Sequence, residues 1–188
     1  MDENGKLALQ GLSRIGLSRV TKNDTEGYAV GTKLNLPNVQ SMSKTPDVTG
    51  TKIYADDGIY LDLKSWNGIN VDIVFAEMTL GHISELGFGT YDASKKTLVY
   101  DPQGKNLEYA LTMAVAQANG EYRMYKWFSL TVNEVVEGEH QTKGDGTDIC
   151  QYTLKGTLTK RKFDNIPAEI HVGADLEWLD DIEVMPAA

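Results

Sequence analysis

The chain predicts a mainly β fold, a β-sandwich or barrel of antiparallel strands with one short flanking α-helix. Three observations lead there. Apolar and polar residues alternate with a period of two in several separate stretches, Gly-, Asn- and Asp-rich turn signals lie between them, and a single stretch has helical spacing with recognisable caps. At 188 residues the chain reads as one domain, 1–188, with a core large enough to need no disulfide or metal staple.

In chain order, Leu7 to Val20 is a mildly apolar start within an N-terminal segment 1–27 that ends in a loop, Thr21 to Gly27. Tyr28, Val30, Thr32, Leu34 and Leu36 alternate up to Pro37, which predicts an arm or edge strand within a long arm about 28–50. Ser41 to Gly50 reads as a loop because Pro46, Asp47 and Gly50 interrupt it. Ile59, Leu61 and Leu63 alternate with Tyr60, Asp62 and Lys64, and Trp66 to Ile69 reads as a turn into a strand from Val71 to Met78. Thr79 is a candidate N-cap for a helix carrying Leu80, Ile83 and Leu86, and Gly87 ends it. Loops are expected at Tyr91 to Lys96 and Asp101 to Asn106.

Leu107 to Val115 and Tyr122 to Val132, joined by a turn at Ala118 to Glu121, predict a long antiparallel hairpin. In its second strand Met124, Phe128, Leu130 and Val132 are expected on the core face, with Arg123, Tyr125, Trp127 and Thr131 on the wetter one. A mobile loop spans about 137–148. Cys150 to Leu158 alternates regularly, Ile166 to Val172 is the last strand, and a C-terminal tail covers 176–188.

Composition removes several function classes. The net charge of −9 and pI near 4.8 repel phosphate and anionic lipid, which argues against a nucleic-acid ligand held by a basic patch and against a membrane partner. No run approaches the roughly 20 apolar residues of a spanning helix. The lone Cys150 leaves no intramolecular disulfide and no Cys-rich zinc site, and it reads as a buried small hydrophobe rather than a nucleophile. His82, His140 and His171 have no close-spaced partners. Asp56–Asp57 and Asp180–Asp181 read as solvated turn and tail charges, and Gly144 to Asp148 lacks the ligand spacing of a calcium loop. The expectation is a protein that is not an enzyme and has no catalytic residues, cofactor or metal.

A β-rich domain must deal with its sheet edges, and assembly is one way to do so. The arm, with Leu34 and Leu36, is therefore a candidate for pairing with a neighbouring subunit. Three further blocks bear on this: "GLSRIGLSRVT" followed by "LNLPNVQSMSKTPDVTG"; "KIYADDGIYLDLKSWNGINVDIVFAEMTLGHISELGFG"; and the "YALTMAVAQANGEYRMYKWFSLTV" hairpin followed by "CQYTLKGTLT". In this order, from Gly11 through Val172, they resemble the major tail protein, or tail tube protein, of long non-contractile-tailed bacteriophages.

That resemblance implies a structural virion protein whose copies close into hexameric rings and stack into a tail tube for DNA delivery. It implies partners of the same kind, itself together with tape measure, tail terminator and baseplate proteins, a place in the virion tail, and assembly in the bacterial host cytoplasm. Double-stranded DNA is then a repelled cargo rather than a ligand, and the acidic composition suits a passage to which phosphate does not stick. Met42, Pro46 and Val48 are candidates for contact with the next ring, because an apolar loop tip is otherwise costly in solvent. Trp178, Ile182 and Val184 of the tail are candidates for docking on a neighbour, with folding back on the same domain as the other outcome. Asp56, Asp62 and Asp72, from polar strand faces, are candidate lumen-facing acids. The competing reading is a carbohydrate-binding β-sandwich module, with Trp66, Trp127 and Trp178 stacking on sugar rings.

Overall fold

The computed structural model describes residues 9–36, 38–55, 58–138 and 151–182. Its elements are β1 (Leu9–Asp24), β2 (Gly27–Asn35), β3 (Val39–Ala55), β4 (Gly58–Phe75), α1 (Leu80–Glu85), β5 (Gly89–Asp92), β6 (Thr97–Tyr100), β7 (Glu108–Gln117), β8 (Tyr122–Glu137), β9 (Tyr152–Thr159), β10 (Ala168–Gly173) and a 3-10 helix (Leu176–Leu179). The fold is mainly antiparallel β with one short α-helix, as the alternation predicts. The strands pair in the order β2-β1-β7-β8-β9-β4-β3, with β10 beside the first half of β8 and β9 beside its second half; β5 and β6 form a separate hairpin. The main sheet is not closed into a barrel. It curls like a sandwich: the Lys44 ammonium of β3 lies 4.6 Å from the Tyr125 ring centre and 5.5 Å from that of Trp127 on β8, although β4 and β9 separate those strands in the sheet.

The concave side of the curl holds the main core. Ile15 and Leu17 of β1, Val71, Ile73 and Phe75 of β4, Tyr109 and Leu111 of β7, and Leu154 and Leu158 of β9 are buried together with Ile83 and Leu86 from the helical segment. The helix is stopped as its sequence predicts. Thr79 Oγ1 accepts from the His82 amide at 3.2 Å, and Gly87 follows with φ +94°, a conformation that a side chain would strain. A Cβ at Gly87 would also stand 2.9 Å from a Leu107 methyl. Leu80, expected on the buried stripe, is instead 42% exposed at the start of the helix.

Four sequence expectations change in the folded chain. Thr21 to Asp24 is the end of β1 rather than a loop, so most of the N-terminal segment lies inside the sheet, paired with both β2 and β7. Ser41 to Gly50 is strand: it runs through β3 against β4, and Pro46 is tolerated because β3 is a sheet edge that needs only one side of its backbone bonded. Trp66 to Ile69 is not a turn. Asp47 pairs with Gly68 and Val48 with Trp66, so Asn67 is an extra residue bulged out of one continuous β4. Gly68 beside it has φ +151°, and a Cβ there would come within 2.8 Å of the Leu158 carbonyl oxygen.

The fourth change is in β8. Tyr109 pairs with Leu130 but Leu111 with Trp127, so Phe128 and Ser129 together face one residue of β7. This bulge reverses the alternation: Tyr125 and Trp127 join Leu130 and Val132 in the main core, while Met124 and Phe128 turn to the other side of the sheet. Trp127 is thus core, not on the wetter face. The predicted hairpin itself, its turn at 118–121, and the strands around Leu154 and Ile170 lie where the alternation placed them. Cys150, His140 and most of the expected 137–148 loop lie outside the described residues.

The second face of the β7–β8 hairpin is covered by the C-terminal segment. Leu179 packs on Ala114 and Met124, and Ile182 on Tyr28, Ala110 and Phe128. Leu179 is fully buried, so Leu179→Ala should lower unfolding stability by about 2–5 kcal/mol in urea titration. A loss below about 0.5 kcal/mol would mean that the tail is not part of the fold.

Candidate assembly surfaces

Four surfaces bear on assembly. The first is an arm. β4 pairs with β9 only from Ile69 to Phe75, while β3 and β4 continue together through Val48↔Trp66 to Ala55↔Gly58. A two-stranded ribbon, Val48 to Ala55 against Gly58 to Trp66, therefore continues for roughly 25–30 Å past the last β4–β9 pair. Ile53 lies opposite Leu61, and Leu63 beside them opposite Thr51, on one side of the ribbon; Lys52 opposite Asp62, and Lys64 opposite Gly50, occupy the other. Ile53, Leu61 and Leu63 are 45%, 40% and 52% exposed, and Val48 is 51% exposed at the base. An isolated two-stranded ribbon is at best marginally stable in water, and among the described residues nothing covers the apolar side of this arm.

The second surface is the convex side of β3, β4, β9 and β8. Asp72 lies between Ser43 and Lys155, and Asn70 between Thr45 and Thr157. Thr157 Oγ1 accepts from Asn133 Nδ2 at 3.0 Å, and Lys155 Nζ donates to Glu134 Oε2 at 3.2 Å. This face is hydroxyl- and amide-rich, with its charges interspersed. The third surface consists of the two open edges of the main sheet, β2 and β3, which leave backbone donors and acceptors on both flanks.

The fourth is an apolar cleft of about 450 Å³ at the far end of β4, lined by Leu80 and Ile83 of α1, Leu98 and Tyr100 of β6, Val135 and Glu137 of β8, and Tyr152 of β9. β6 belongs to a small hairpin whose outer residues Val99 and Tyr100 are 71% and 52% exposed. The hairpin forms because Asp92 closes its turn, its carboxylate accepting from Ser94 Oγ at 2.6 Å and from two backbone amides. Those bonds, the Ser94 hydroxyl foremost, hold the Asp92 carboxyl below the usual range.

The sequence-selected residues distribute over these surfaces unevenly. Val48 and Asp62 are on the arm, and Pro46 is exposed at its base; Met42 packs partly against the main core. Leu36 is 5% exposed and Leu34 packs on the same core, so Leu36 offers no side chain to a neighbour. Asp62 and Asp72 are ten residues apart, which in a regular strand means one face. The Asn67 bulge sets them on opposite sides of the β3–β4 ladder, and they do not line one surface together. Asp56 and Val184 lie outside the described residues. Ile182 is buried on its own domain, and Trp178 is stacked on His171 at 5.3 Å with the Lys126 ammonium 3.9 Å from its ring centre. The tail thus folds back through residue 182 instead of leaving Ile182 for a neighbour. With Trp66 on the arm, Trp127 in the core and Trp178 under Lys126, the three indoles share no surface.

Two charged devices hold the tail segment. Asp180 accepts from Lys33 Nζ at 2.5 Å and from Arg14 Nη2 at 3.0 Å, tying the tail to β1 and β2. Arg161, 1% exposed, forks onto Asp164 at 2.8 and 2.6 Å and lies 3.9 Å over the Phe128 ring, closing the end of the same apolar cluster. Tyr28 completes it by donating to the Phe128 carbonyl at 2.6 Å, and burial pushes its phenol well above the usual range. The Asp180 pairs join residues far apart in sequence, with no spacing that marks them beforehand, whereas Arg161 and Asp164 are three residues apart and it is the burial of Arg161 over Phe128 that the sequence does not show. Among the described residues no group of three His, Cys, Asp or Glu side chains is placed to hold a metal ion, and no helix is long and apolar enough to cross a membrane.

No protein-family model matches the chain, and no curated protein matches it. Among solved structures it is similar to a chain of the "Cryo-EM structure of the anti-feeding prophage (AFP) baseplate, 6-fold symmetrised", with a TM-score of 0.41 and 6% identity over 90% of this chain and 100% of that one. A likeness at that level assigns neither family nor function.

The hydrogen bond from Lys33, more than the Arg14 charge, holds the Asp180 carboxyl below its usual value of 3.8. A depressed folded-state value means that the contribution is complete above the ordinary carboxylate range and is lost as pH falls through the folded value. Asp180→Asn should therefore lower the urea midpoint at pH 6, and the gap to the unchanged protein should shrink as pH drops below 3.8. A gap that is constant from pH 6 to pH 2.5 would show that the ion pairs do not hold the tail.

Proposed function

We propose that this chain is a non-enzymatic structural subunit that assembles with copies of itself, and that the assembly is a tube of stacked hexameric rings that delivers phage DNA. The observation that carries the reading is the arm: a ribbon with Ile53, Leu61 and Leu63 exposed on one side has no reason to persist in a free monomer. The two open edges add to it. A heterologous contact between different patches of identical chains closes into a ring or continues as a stack, and a sheet with free edges on both flanks can be continued by a neighbour on either side.

In such a tube the convex face of β3, β4, β9 and β8 suits the lumen. Where β4 pairs with β9 it presents Asn70, Asp72, Thr157 and Lys155, and Lys155 is offset by Asp72 and Glu134, so phosphate finds no net cation there. Asp72 is then the lumen acid of the sequence-selected set, and Asp62 belongs to the arm. Tape measure, terminator and baseplate proteins are the partners expected at the ends of the tube, and the virion tail its location.

Electron microscopy and light scattering over a concentration series test the reading. Rings or hollow tubes are expected. A monomer at every concentration that binds oligosaccharide in calorimetry would replace the subunit with a glycan-binding module. For the lumen, tubes carrying Asp72→Asn and Glu134→Gln should form normally but retain DNA at ionic strengths where unchanged tubes release it; equal retention would place this face elsewhere.

A further inference from the structure

We infer that the cleft between β2 and the segment following α1 binds a small amphipathic monoanion, an alkyl or aryl carboxylate whose charged end meets Arg19 and Lys105. Such a site is independent of whether the chain assembles. The cleft encloses about 470 Å³. At the roughly 30 Å³ that a water claims in the liquid, this is room for on the order of 15 non-hydrogen atoms.

The floor is the end of the concave sheet face. Ile15, Leu17 and Arg19 follow one another on the same side of β1, and Arg19 stands opposite Tyr109 of β7, where a third apolar residue would complete the core. Two irregularities in the β1–β2 pairing fall at the cleft, between Ser18 and Val20 and between Val20 and Lys22. The first sets both Gly31 and Thr32 against the single residue Arg19, so the floor has a position without a side chain. The opposite wall is fastened to this floor. Tyr109 donates its hydroxyl to the Glu85 carbonyl at 2.6 Å, and the Lys105 amide donates to the Gly87 carbonyl at 3.1 Å. The cleft is thus formed before any ligand enters, as binding clefts of this size usually are.

Its lining selects the ligand. Leu34, Leu107 and the Tyr109 ring are apolar and pack on the main core, which suits a hydrocarbon body. Of the charged residues around them, Lys33 gives its ammonium to Asp180. Among the described residues neither Arg19 nor Lys105 forms an ion pair, although the chain carries a net charge of −9. Against Glu85 they leave one positive charge in excess, which a monoanion balances. A phosphate monoester, at about −1.5 to −2, exceeds it. Burial pushes the Tyr109 phenol up to about 12 and the Arg19 charge opposes that rise, so the guanidinium acts on the floor of the cleft as well as on solvent. A guanidinium takes a carboxylate through two parallel N–H bonds, with the Lys105 ammonium as a point charge beside it.

The test is equilibrium dialysis of the full-length chain against radiolabelled octanoate, with octan-1-ol as the uncharged counterpart. Saturable binding of one octanoate per chain is expected, tighter than octanol by roughly tenfold or more. Arg19→Gln combined with Lys105→Gln should bring octanoate down to the affinity of octanol and leave octanol unchanged. Both side chains are exposed and unpaired, so circular dichroism and melting temperature should match those of the parent. Gly31→Leu should lose both ligands, since its Cβ would stand 3.4 Å from the Thr21 methyl, an ordinary contact, among residues that line the cleft. Should that variant fail to fold, the charge variant decides alone. Unsaturable octanoate binding, equal affinity for the two ligands, a charge variant that binds octanoate like the parent, or a folded Gly31→Leu chain with both affinities intact would each overturn the assignment.

Discussion

The β7–β8 hairpin presents large apolar side chains on both faces, and the rest of the domain is arranged to keep water from each of them. On one side Tyr109, Leu111, Trp127 and Leu130 face the concave core, which requires the sheet to curl until β4, β9 and α1 lie across from them. On the other side Met124 and Phe128 require a second cover, supplied by the 3-10 helix and the residues up to Ile182. Neither cover is optional, because each fully exposed side chain of this size would forgo roughly 1.5–3 kcal/mol.

The bulge at Phe128 and Ser129 makes this two-sided burial possible. Without it, one regular alternation would give one apolar and one polar face, and the tail would have nothing to pack on. With it, Trp127 and Leu130 point the same way into the main core, and the tail packs on Met124 and Phe128 on the opposite face. The ion pairs from Asp180 to Lys33 and Arg14 then fix where the tail lies, while its apolar contacts account for most of the stabilisation, since half-exposed charges are screened.

A second bulge, at Asn67, separates a body that is satisfied internally from an arm that is not. Below it, β4 has neighbours on both edges and a buried side formed by Val71, Ile73 and Phe75. Above it, the same strand has one neighbour and an apolar side turned to solvent. The contrast is between a body packed on itself and an arm whose apolar side the described residues leave uncovered.

The alternation of apolar and polar residues by itself determined the mainly β fold, the β7–β8 hairpin, β9, and the capped helix at Thr79 to Gly87, because each depends on neighbours within a few residues. It also marked the edge character of the strand from Tyr28 to Leu36, whose alternation stops at Pro37 and which is the β2 edge of the sheet. Which face each side chain occupies was decided only by tertiary structure. One inserted residue at Asn67 and another within Phe128–Ser129 reverse the phase of everything beyond them, and strand pairing, not composition, places such insertions. The same holds for Ser41 to Gly50, a strand because β4 pairs with it, and for Ile182, buried because Phe128 points outward to meet it.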